Sequence, residues 1–216
     1  MTRALLLASL VAAATLAGCA GFGSGLLRTT VPETDRWLVV PRRPGDATPP
    51  AGTLHLAVPA FHVTRAFSER TFVYRQADGR WDLDPWREFL VAPGEMLSDA
   101  ARHWLRDSGL FATVQAGESR VTPDLVLEAD VAELFGDYST TPAAAVISLR
   151  VLVVDIEAGV RHRAVYARRR PLADDTPTTL AAGWEAAYGE ILADLERDLA
   201  AIVAAPTERQ GPVQNK

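Results

Sequence analysis

Leu180, Trp184, Tyr188, Ile191, Leu195, Leu199 and Ile202 follow one another at steps of 4, 4, 3, 4, 4 and 3 residues. That spacing predicts a single amphipathic helix of about 28 residues, because positions three and four apart share one helix face. Thr176 or Asp175 stands where an N-cap is needed, and Pro177 falls in the first turn, where its missing N–H costs nothing. A helix with one long apolar stripe must bury that stripe against another layer, so the rest of the chain has to supply one.

Two strands answer the need. Leu125, Leu127, Ala129 and Val131 alternate with Val126, Glu128, Asp130 and Ala132. After the turn-rich stretch 136–142, Ile147, Leu149, Val151 and Val153 alternate with Ser148, Arg150, Leu152 and Val154. Residues 162–170 follow a turn at Gly159 and extend the meander. Shorter strands are predicted at 37–40, 54–58, 71–75, 81–83, 87–92 and 110–115, with Asp78-Gly79 as a hairpin turn. A second helix starts at Pro93, carries Met96, Leu97, Ala100, Ala101, Trp104 and Leu105 on one stripe, and stops near Ser108-Gly109. The pattern predicts a single α+β domain over 36–205: a mainly antiparallel sheet with two amphipathic helices packed on one face. The other sheet face is then wet or covered by a partner. Residues 206–216 read as a disordered polar tail.

The beginning of the chain carries a different signal. One positive charge, Arg3, precedes an apolar run from Ala4 to Leu16, too short for the roughly 20 residues of a membrane-spanning helix. Residues 1–18 read as a secretory signal peptide cleaved between Gly18 and Cys19. Cys19 is the only cysteine, so it has no internal disulfide partner, and the nearest histidine, His55, is 36 residues away, which disfavours a catalytic thiol. The glycine-rich run after Cys19 follows a cleavage site and no strand, so it reads as a tether over 19–35 and not as a phosphate loop. Cleavage takes 18 of the 216 residues, leaves 198, and removes Arg3, so the net charge of −5 becomes −6. An acidic chain without a basic stripe is a poor nucleic-acid binder.

The chain has no Gly-x-Ser-x-Gly elbow, Walker loop, His-Glu-x-x-His or Cys-x-x-Cys. No catalytic residue, metal ligand or cofactor site is assigned, and the chain is not expected to be an enzyme. His55, His62, His103 and His162 are scattered; His55 and His103 read as polar-face residues, and His162 is flanked by Arg161 and Arg163. Asp82 and Asp84 read as turn caps rather than metal ligands, and Asp174-Asp175 as partners of the last helix's positive N-terminus. Arg161, Arg163, Arg168, Arg169 and Arg170 crowd into ten residues. They are either a docking patch for an acidic partner or headgroups, or the charges that keep an edge strand soluble. Trp81, Trp86 and Phe89 are either core or an interaction surface.

Leu16-Ala17-Gly18-Cys19 resembles the bacterial lipobox. That resemblance implies a diacylglycerol on the Cys19 sulfur, a third acyl chain on its amino group, and stable membrane attachment through these chains. Ala20 stands where an inner-membrane retention aspartate would be, which favours the outer membrane, facing the periplasm. The segments "RWLVVP" (36–41), "RTFVYR" (70–75), "FLVAPGEML" (89–97), "LRDSGLFATV" (105–114), "DLVLEADVAELF" (124–135) and "AVISLRVLVVD" (145–155), in that order before the last helix, resemble the ABC-type transport auxiliary lipoproteins. These form the PqiC-like group that accompanies MCE-domain lipid transporters. Trp37 replaces the usual tyrosine, and Phe89 and Ala92 stand where many members carry tryptophan and a second proline. The resemblance implies a non-catalytic periplasmic subunit. It would work beside an MCE protein, an ABC permease and an ATPase, dock the end of a phospholipid conduit, and form a homo-oligomeric ring if it matches the conduit's symmetry. The alternative is a scaffolding lipoprotein of an outer-membrane assembly machine.

Overall fold

The computed structural model describes residues 33–117 and 119–205. Its elements run β1 (Asp35–Trp37), β2 (His55–Ala57), β3 (His62–Val63), a 3₁₀ turn (Arg65–Phe67), β4 (Thr71–Arg75), β5 (Trp81–Phe89) and α1 (Pro93–Asp107). Then come β6 (Thr113–Gln115), β7 (Leu125–Asp137), β8 (Ala144–Asp155), β9 (Gly159–Pro171) and α2 (Pro177–Ala204). The expected signal peptide, Gly18, Cys19, most of the expected tether and the expected tail lie outside the described residues. None of the described helices is long and apolar enough to cross a membrane.

β7 is the spine. One edge pairs with β8 along its whole length, and β8 pairs in turn with β9, both antiparallel. The other edge is shared by three short strands in succession: β2 at Leu125–Val126, β3 at Asp130–Val131 and β4 at Gly136–Asp137, all parallel to it. β6 adds to β2 in parallel, β5 to β4 antiparallel, and β1 to β5 in parallel. The sheet of nine strands is therefore mixed, which corrects the expected mainly antiparallel one: five of its eight pairings are parallel. Alternation identifies the long hairpins, but a parallel contact of two residues between segments some 60 residues apart leaves no local mark. A second correction concerns β5, which runs unbroken from Trp81 to Phe89 instead of forming two short strands. It turns back from β4 through Gly79, whose φ of +84° is open to glycine at no steric cost.

Both helices lie on one face, as the stripes require. Met96, Leu97, Ala100, Ala101, Trp104 and Leu105 of α1 are all buried, as are Leu180, Trp184, Tyr188, Ile191, Leu195 and Leu199 of α2, with Ile202 half-buried. The Thr176 hydroxyl caps α2 by accepting from the Thr179 N–H at 3.2 Å. Two contacts lock helix to helix and loop. The Tyr188 hydroxyl donates to the Leu97 carbonyl at 2.7 Å. Glu196 accepts from the Trp104 indole at 2.7 Å and from Arg43 through two bonds of 2.8 and 2.9 Å. The opposite sheet face is not wholly wet. Val73 and Trp81 are out of phase with Phe72, and there Trp81 packs on Phe135 and Phe67, with centroids 4.9 and 6.0 Å away.

Candidate functional site

Among the described strands the arginine-rich β9 pairs only with β8 and so lies at a sheet edge. Four of its five arginines are engaged within the domain. Arg168 meets Glu190 at 3.1 Å and also Asp194, and Arg170 meets Glu190 at 2.6 Å, so both reach acids one turn apart on α2. Arg169 reaches the buried Asp137 at 2.5 Å. Burial alone would raise the Asp137 carboxyl; the hydrogen bonds from Ser139 and Arg169 outweigh it and hold the carboxyl below its ordinary range. Arg161 bonds Asp155 at 3.2 Å and the Ile202 carbonyl at 3.4 Å. Arg163 is exposed and makes no ion pair among the described residues. Beside these, the Tyr166 hydroxyl donates to Asp198 at 2.5 Å and lies 3.0 Å from His162 Nε2, a further tie from β9 to α2.

The other sequence candidates separate. His55 Nδ1 lies 2.9 Å from the Thr113 hydroxyl, His62 Nδ1 2.8 Å from Asp130, and His103 Nδ1 2.8 Å from the Asp99 carbonyl. Among the described residues no group of three His, Cys, Asp or Glu side chains is placed to hold a metal ion. Asp174 accepts from the Thr176 N–H and hydroxyl at the start of α2. Phe89 is buried against Phe72 and Trp184. Trp81 is 51% exposed despite its two ring contacts, so it serves the core on one side and offers surface on the other.

Asp82 and Asp84 both lie inside β5 and not in the Asp78-Gly79 turn, although Asp84 Oδ1 does accept from the Trp86 N–H two residues on, at 3.0 Å, where the β4–β5 register is irregular. Through its other oxygen Asp84 belongs to a pocket with no signal in the sequence. Tyr74, in phase with Phe72 on β4, donates its hydroxyl to Asp84 Oδ2 at 3.0 Å. Tyr138, just past the end of β7, stands edge-to-face with Tyr74, centroids 5.4 Å apart at 87°. Gly136 makes this approach possible. A Cβ there would fall 2.8 Å from Leu180 Cδ2, 2.9 Å from Tyr138 Cε2 and 3.2 Å from Tyr74 Cδ1. The resulting cavity, about 340 Å³, is lined by Tyr74, Asp84, Arg87, Tyr138, Asp175 and Pro177 among others. Arg87 Nη1 lies 3.5 Å from Asp84 Oδ2, while its Nε is buried without a partner. Both phenols are pushed above their ordinary range, by burial first. Asp84 adds to the rise at Tyr74, and Asp175, Asp174 and Asp84 add to it at Tyr138. Tyr74 and Tyr138 are 64 residues apart, one in a strand pattern and the other in a turn-rich stretch, so no local signal joins them.

No family model matches the sequence, and no curated protein matches it. Solved structures do. The fold is similar to that of the protein XCC0632 from Xanthomonas campestris, of the family model DUF330. The two are 20% identical, with a TM-score of 0.67 over 78% of this chain and 96% of that one. The fold is that of a DUF330 protein. An uncharacterized protein at 13% identity and TM-score 0.63 covers 77% of this chain with 99% of its own. The hypothetical protein CT253 from Chlamydia trachomatis, 13% identical, matches at TM-score 0.50 over 69% of this chain and 99% of its own. These likenesses establish architecture alone.

Proposed function

We propose that this chain is a non-catalytic accessory lipoprotein of an ABC/MCE-type phospholipid transport system. It is anchored by acyl chains on Cys19, outer membrane favoured over inner, faces the periplasm, and docks on the MCE component. The observation that carries the reading is the order in which the family-like segments fall on the fold. "RTFVYR" contains β4, "FLVAPGEML" joins β5 to α1, "DLVLEADVAELF" makes up most of β7, and "AVISLRVLVVD" is β8 almost entire. The segments on which the resemblance rests are therefore the ones that build the sheet and its helix cover. The DUF330-like fold supports the same reading at the level of architecture.

Docking needs a surface that the domain has not already spent on itself. Four arginines of β9 are tied to acids of the domain or to α2, which leaves Arg163 and the half-exposed Trp81 as side chains open to a partner. The test is affinity purification of the acylated full chain from its own membranes in detergent, with mass spectrometry of what accompanies it. Recovery of an MCE protein, a permease or an ATPase is expected, with capture reduced in Arg163→Glu and membrane attachment lost in Cys19→Ala. Recovery of a β-barrel assembly component instead would overturn the transport role and install the scaffolding alternative.

A further inference from the structure

We infer that the pocket between β4, β5, the end of β7 and the start of α2 binds a small organic ammonium ion. The walls argue for it. Tyr74 and Tyr138 stand at 87° and form two sides of an aromatic corner, the geometry in which a cation meets the negative face of one ring beside the other. The charge balance agrees: the lining holds Asp84 and Asp175 against the one cation Arg87, and Arg87 is already turned to Asp84 at 3.5 Å. Asp174 adds a further negative charge beside Tyr138. The same carboxylates that add to the rise burial imposes on both phenols make the corner attractive to a positive charge.

An anion fits worse. Arg87 Nε, buried without a partner, would favour one, but Asp84 and Asp175 stand against it in the same lining; the positive end of α2 is already occupied, since Asp174 and Thr176 take free donors there and Pro177 has no N–H to give. Among the described residues a bare metal ion finds no set of three His, Cys, Asp or Glu ligands. At about 340 Å³ the cavity lies near the lower end of small-molecule sites, which suits an ethanolamine or choline group. Gly136 is the residue that keeps the corner open, because any side chain there collides with both rings. The inference stands on this geometry and does not depend on the transport role. Such a cation has two sources, a free amine or the headgroup of a phospholipid.

The experiment titrates the acylated full chain in detergent with choline and with ethanolamine, against sodium chloride at matched ionic strength, by calorimetry. Saturable binding of both amines is expected, with millimolar affinity. Asp175→Asn should weaken it about tenfold, as should Tyr138→Leu, which removes one aromatic wall. Asp175 is exposed and is not the cap of α2, so its variant keeps the fold and remains informative if Tyr138→Leu does not. Phosphatidylethanolamine vesicles that displace bound choline, where pure phosphatidylglycerol vesicles do not, would assign the site to a lipid headgroup. Equal failure of both vesicles to compete would assign it to a free amine. No saturable heat beyond the sodium control, or Asp175→Asn binding as well as the unsubstituted chain, overturns the inference.

Discussion

Trp184 is the residue whose loss should cost the fold most. Its side chain is fully buried, with its ring 4.9 Å from Phe72 and 5.3 Å from Phe89. Its indole N–H is shared between the carbonyls of Phe135 and Val146, each 3.2 Å away. Those two residues are register partners on β7 and β8, so one side chain of α2 both fills the core and pins the helix across the central hairpin. Trp184→Phe keeps a ring but removes the donor and part of the volume. Leaving the two carbonyls without that donor costs about 1 kcal/mol, and a void of roughly 40 Å³ costs about 1 kcal/mol more at ~24 cal/mol per Å³. The expected loss is about 2 kcal/mol, and Trp184→Ala should cost about 3–5 kcal/mol. The assay is urea unfolding followed by far-ultraviolet circular dichroism, which does not depend on the tryptophan being replaced. The slope against denaturant should stay constant, so that the midpoint shift reads stability alone. In a domain of this size about 2 kcal/mol also lowers the melting temperature by about 4–8 °C. A Trp184→Phe midpoint within about 0.5 kcal/mol of the unsubstituted chain would refute the pinning role. A Trp184→Ala cost no larger than that of the half-exposed Trp81→Ala would refute the core placement.

Two further outcomes follow from the same contacts. Glu196 is held below the usual carboxylate range by Arg43 foremost, with Trp104 assisting against the opposing effect of burial. A depressed folded pKa adds stability that is fully present above the unfolded value of about 4.3 and is lost as pH falls through the folded one. Glu196→Gln should therefore cost about 1–2 kcal/mol at neutral pH, with the gap closing in acid. A gap that stays constant or widens from pH 7 to pH 3 in chemical denaturation would count against the clamp. Gly136→Ala should cost about 1–3 kcal/mol through overpacking against Leu180 and the two tyrosines; unchanged stability together with unchanged choline binding would show that the rings do not meet as described.

The part of this architecture legible in the chain is the part its local period encodes. Both helices follow from apolar side chains at three- and four-residue spacing, with Pro93 and Thr176-Pro177 marking where they start. The β7–β8 and β8–β9 hairpins follow from two-residue alternation and short turns. These features need no knowledge of distant residues, because helix and hairpin contacts form between neighbours in the chain. The tertiary structure decided what depends on distant pairing. Nothing local directs β2, β3 and β4 to the same edge of β7, since each is held there by two residues and by the cover of α1 and α2 on the sheet face. The arginines of β9 looked alike in sequence; only the register of β9 against α2 separates Arg168, facing Glu190 and Asp194, from Arg163, which has no ion pair among the described residues. The aromatic pocket needs β4, β5, the end of β7 and the first turn of α2 together, four segments spanning more than 100 residues. Asp84 read as a turn cap because its partners Tyr74 and Arg87 are set by strand register, and Tyr138 meets Tyr74 because Gly136 has no side chain to crowd the two rings and Leu180.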